Sequence, residues 1–116
     1  MEQPGIGSLA AFDLASVAAA REAAGELWHE FFRVPDLSLG LYVLSAGSVD
    51  GQSPHGQDEI YYLISGQGTL SVNGVDTPAR PGSILYVAAH ADHRFHSITE
   101  ELTLLVFFAP AYERAE

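Results

Sequence analysis

The sequence predicts an all-β domain, a sandwich or a barrel, preceded by one short α-helix. Three observations predict it. Short aromatic and β-branched runs recur at close intervals, each closed by Gly, Pro, Asn or Asp. Asn73-Gly74 joins two such runs and is a strong short-range hairpin signal. Residues 8–26 alone lack this pattern and are rich in Ala with Leu, Arg and Glu.

The elements follow in order. Asp13 is suited to cap a helix N-terminus and Gly25 to end it, which predicts one helix from Leu14 to Ala24. The period then changes. Leu27–Val34 is aromatic and β-branched and stops at Pro35, and Leu37–Ser45 follows as a second strand. Ile60–Ile64 is a third, closed by Ser65-Gly66. Thr69–Val72 and Val75–Ala79 form the hairpin. Ser83–Val87, Arg94–Ile98 and Leu102–Phe108 complete about eight strands. Leu102–Phe108 scarcely alternates, so both of its faces should be covered.

The chain has 116 residues, the size of one domain, and no cysteine, so disulfide and thiolate chemistry are excluded. Fifteen acidic residues face five arginines and no lysine, for a net charge of −10. Nucleic acid and anionic membrane are poor partners for such a surface, because counterion release needs clustered cations. The start, Met1 to Gly5, lacks a positive region, and the longest apolar stretch, Leu102 to Ala111, is broken by Thr103 and Pro110. A soluble cytoplasmic protein is the expectation.

Residue types that bind metals converge on the loops and strand edges of this framework. His55 lies in a Ser-Pro-His-Gly-Gln loop, Glu59 begins the Tyr-rich strand, and His93 opens another strand. The spacing of His55 and Glu59 also suits one helical face, but Pro54, Gly56 and Ile60-Tyr61-Tyr62 argue against a helix there. In strands, Glu59, Tyr61 and Leu63 share one face, and so do His93, Phe95 and Ser97. If that face is the interior, Glu59 and His93 point inward together and His55 reaches them from its loop. Two imidazoles and one carboxylate leave coordination positions open, which favours non-haem Fe(II), with Zn, Mn, Ni or Co as other occupants.

These residues also carry a resemblance. Gly47, five residues, Ser53-Pro54-His55, three residues, Glu59, six residues and Gly66 resemble the first cupin motif, G-x5-H-x-H-x3-E-x6-G. Gly82, five residues, Ala88-Ala89-His90, two residues, His93, three residues and Ser97 resemble the second, G-x5-P-x-G-x2-H-x3-N. The likeness runs from Leu39 to Phe108 and is to small single-domain bacterial cupins of the conserved-barrel, RmlC-like type.

The resemblance implies a jelly-roll β-barrel, with residues 1–35 as a helix and leading strand packed on a barrel of residues 36–112. It implies His55, Glu59 and His93 as ligands of one divalent ion (Fe, Mn, Ni or Zn). The family's first histidine is Ser53 here, its proline Ala88, its glycine His90 and its asparagine Ser97. Ser53, through a water, and Gln57 are the candidates for the vacated fourth position.

His90 and Tyr61 are candidate acid–base or pocket groups, and Tyr42, Phe95, Phe107 and Trp28 candidate pocket lining. His96 has the opposite parity to His93 and is expected to face outward. Tyr62 and Ile64 face away from the core side, and a homodimer contact is the simplest cover for them. The partner otherwise expected is a small organic molecule. Two readings follow: a metalloenzyme of the dioxygenase, isomerase, epimerase or cyclase type, or a non-enzymatic sensor or accessory protein with a degenerate metal site.

Overall fold

The structure, a computed structural model, describes residues 7–51 and 54–113. Helix α1 spans Leu14–Ala24, the bounds the caps predict. Asp13 is extended, and its carboxylate accepts the Ser16 N–H at 3.1 Å, while Gly25 ends the helix in the left-handed region at φ 70°. Six strands follow among the described residues: β1 (Trp28–Val34), β2 (Leu37–Leu44), β3 (Asp58–Val72), β4 (Val75–Ala79), β5 (Ile84–Val87) and β6 (His93–Ala109).

They form one antiparallel sheet in the order β1-β2-β6-β3-β4, with β5 paired to β3 beside its first half. Asn73 and Gly74, both at positive φ, make the β3–β4 turn where the hairpin signal put it.

The expected eight strands are six, because two predicted breaks are bends inside longer strands. Ser65-Gly66 does not end β3, and Thr99 to Glu101 do not interrupt β6. The two strands stay paired along their lengths, with register shifts between Leu63 and Thr69. Gly66 sits at φ 106°, where a Cβ would run into the backbone of Glu101 and Leu102, so only glycine lets the strands approach there. Ser97 is the matching irregularity in β6, at φ 51°.

Each irregularity flips the strand's parity. Glu59, Tyr61 and Leu63 point inward before the bend in β3, and Leu70 after it. His93 and Phe95 point inward before Ser97, whereas Ile98, Leu102, Leu104, Val106 and Phe108 do so after it. The interior is therefore one cluster drawn from both halves of both strands, including Tyr61, Leu63, Leu70, Phe95, Leu104 and Phe108.

The opposite face of β6, with Thr103, Leu105 and Phe107, is half-buried, in line with cover on both sides. Helix α1 packs against β1 and β2 and buries Val17. No described helix is long and apolar enough to cross a membrane.

Candidate metal centre

The bent sheet brings His55, Glu59 and His93 together. Glu59 is the second residue of β3, His93 is the first of β6, and His55 lies in the loop between β2 and β3. Their ligand atoms all fall within 4.8 Å of one another. His93 Nε2 is 3.1 Å from Glu59 Oε1, and His55 Nε2 is 3.6 Å from the same oxygen.

Burial makes this arrangement costly for the protein alone. Glu59 is 2% exposed and His93 3%. Both Glu59 oxygens and His93 Nε2 are buried with no aligned hydrogen-bond partner among the described residues. Buried polar atoms are rarely left so, and a buried carboxylate is stable only when paired, bonded or bound to a cation.

His93 is also held for coordination. Its Nδ1 is 3.0 Å from the Ala91 carbonyl, which can only accept, so Nδ1 carries the proton. The Nε2 lone pair then faces Glu59 and His55. This is the usual way in which a backbone carbonyl fixes a metal-binding tautomer. The donor set fits a divalent cation.

The two imidazoles are displaced in opposite directions. Burial lowers the His55 pKa below its ordinary value, and the neighbouring His93 adds to that, against the pull of Glu59. For His93 burial is the largest single influence and also lowers the pKa. The Glu59 contact, the Ala91 carbonyl and the charges of Glu59 and Asp50 outweigh it, so the net displacement is upward.

The loop bearing His55 is pinned on both sides. The His90 N–H donates to the His55 carbonyl at 2.6 Å, with His90 in the left-handed region at φ 68°. Asp58, exposed beside Glu59, accepts from the Ala89 N–H at 2.9 Å and fastens the same turn to β3. His90 itself is exposed and lies outside the ligand cluster.

Gln57 shares Glu59's parity, is 8% exposed, and keeps its amide oxygen buried without a hydrogen-bond partner among the described residues. Ser53 lies outside the described residues. Tyr61 is fully buried, with its ring 6.4 Å from that of His93 and 4.9 Å from that of Phe95.

Aromatic rings wall the His55 side. Phe108 and Tyr112 stand edge-on to the His55 ring at 5.5 and 5.3 Å, and 4.7 Å from each other. Trp28 packs against Tyr42, Phe108 and Tyr112 at 5.9–6.2 Å. Trp28 and Tyr42 thus belong to this aromatic cluster, while Phe95 is core. Phe107 is on the other face of β6: the parity change at Ser97 puts Phe108 beside His55 instead.

His96 also faces away from His93, within 3.2 Å of Asp76 and 3.0 Å of Ser97 Oγ. Asp50, Phe108 and Tyr112 escape the sequence reading. Tyr112 is set by a Ser38 hydroxyl 74 positions away in the chain, a contact that leaves no local signal.

Comparison with known proteins agrees with this fold. The Cupin domain family matches residues 40–109. Uncharacterized protein SCO3923 of Streptomyces coelicolor is 42% identical over 100 residues, covering 86% of this chain and 95% of its own. KdgF from Halomonas sp. superposes with a TM-score of 0.68 at 20% identity, over 74% of this chain and 79% of its own. An RmlC-like cupin from Shewanella frigidimarina superposes at 0.67 with 21% identity, over 74% and 77%. At such identities the solved structures speak to the fold, a jelly-roll β-barrel, and the family match runs from β2 through β6. The chain belongs to the cupin family.

Proposed function

We propose that His55, Glu59 and His93 hold one divalent metal ion, and that the protein uses it on a small organic molecule entering past Trp28, Tyr42, Phe108 and Tyr112. One observation carries this reading: a buried carboxylate and two imidazoles converge, and both Glu59 oxygens and His93 Nε2 lack a hydrogen-bond partner among the described residues. When bound, the ion supplies Lewis acidity toward a carbonyl, carboxylate or hydroxyl oxygen. Glu59 and the two histidines fix its place, and Gln57 adds an amide oxygen on the same side of β3. Tyr61 and His90 are the candidate proton-handling groups. The aromatic wall favours an apolar or aromatic ligand over a polyphosphate.

On this reading the protein is a metalloenzyme of the dioxygenase, isomerase, epimerase or cyclase type, acting in the cytoplasm. A second reading, a non-enzymatic sensor or accessory cupin, is favoured by Ser53 standing where the first motif has a histidine.

A second copy of the chain completes the proposal. Ile60 pairs with Tyr86 and Tyr62 with Ile84 across β3 and β5, leaving four apolar side chains 39–70% exposed on one outer face.

Elemental analysis of the purified protein beside His93→Ala tests the metal. Near-stoichiometric iron, manganese, nickel or zinc that vanishes in a folded variant is the expected result. No uptake of any of these ions by the native protein contradicts it. Turnover of small organic substrates by the metal-loaded protein, lost when the metal is removed, then separates the enzymatic reading from the non-enzymatic one.

A further inference from the structure

Asp50 is a buried carboxylate that the ligand set does not use. It lies in the loop between β2 and β3, five positions before His55, and is 3% exposed. Its Oδ1 accepts from the Tyr42 hydroxyl at 3.1 Å, and its Oδ2 accepts from the Phe95 N–H at 2.9 Å. Phe95 is two residues beyond His93 on β6. One side chain therefore joins the loop that carries His55, the strand that carries His93, and β2 beneath the aromatic wall.

Charge gives the placement a second consequence. Two neutral imidazoles and one carboxylate leave a divalent ion with one net positive charge, which is expensive in a low-dielectric interior. Asp50 is a further buried acidic side chain nearby. Its field reaches both histidines, in each case favouring positive charge at the site.

We propose that Asp50 is a positioning residue of the metal centre, latching the His55 loop to the His93 strand and balancing the remaining charge of the bound ion. This rests on the metal reading above. It assigns Asp50 no contact with the ion or the substrate.

The test is a Co2+ titration, followed by its visible absorption, of the wild type, Asp50→Asn and Asp50→Ser. Thermal unfolding of each metal-free protein is measured alongside. The two neutral variants differ in size, and Ser can still accept the Phe95 N–H. The expected result is Co2+ affinity reduced about tenfold or more in a folded variant. A folded variant that binds Co2+ within about twofold of the wild type, with only its unfolding temperature lowered, overturns the proposal. Failure of both variants to fold assigns Asp50 to the core and also overturns it. A wild type that takes up no Co2+ contradicts the metal reading itself, and this proposal with it.

Discussion

His93 Nε2 stands 3.1 Å from Glu59 Oε1 while the opposite ring nitrogen donates to the Ala91 carbonyl. The two residues begin β6 and β3, strands that pair along most of their lengths but meet here only because the sheet folds over. The contact places a carboxylate and an imidazole lone pair together in the interior. That is unfavourable without a cation and favourable with one.

The aromatic wall depends on a glycine. A Cβ at Gly40 would fall inside the Trp28 indole, which lies across β2 at that point. Gly40→Ala should therefore lower stability by about 1–3 kcal/mol through overpacking. Urea unfolding checks this, and Trp28, the single tryptophan, reports its own displacement by fluorescence. Wild-type stability with an unshifted emission maximum would show that the indole does not occupy that space.

Tyr42 predicts an alkaline dependence. Burial, the largest cause, and the Asp50 carboxylate raise its phenol above the ordinary value of 10.0. The folded value thus exceeds the unfolded one, so the stabilisation is complete below the unfolded value and is lost as pH rises through the folded value. From about pH 9 to about pH 11 the wild type should lose stability more steeply than Tyr42→Phe. Parallel unfolding midpoints across that range would remove the phenol from the account.

The outer face of β3 and β5 makes a prediction about assembly. Ile84 is 70% exposed and lies beside Tyr62 among apolar neighbours. Ile84→Glu should convert a wild-type dimer into a folded monomer in sedimentation equilibrium. A monomeric wild type, or a variant that remains a dimer, rejects this face as the contact.

Much of this was legible in the sequence, for reasons that are local. The Asp13 and Gly25 caps set both ends of α1, and Asn73-Gly74 set the hairpin, because each acts through the few residues beside it. Period-2 alternation put Glu59 with Tyr61 and His93 with Phe95, and linked motif spacings tied His55 to both. Alternation carried forward from His93 failed at Ser97, where one left-handed residue shifts every later side chain to the other face. Phe107 was a candidate lining residue, and Phe108 stands beside His55 instead. Gly66 read as a strand end because a glycine that stops a strand and one that bends it look alike in sequence. Asp50 left no trace, since its partners Tyr42 and Phe95 lie 8 and 45 positions away.

The most direct test of the central claim is anomalous diffraction at the metal's absorption edge, from crystals of protein loaded with Mn2+ or Zn2+. The account predicts one strong peak inside the barrel, bonded by His55, Glu59 and His93 at about 2.0–2.2 Å. A loaded crystal with no peak between these residues, or with its peak on surface carboxylates, would contradict it.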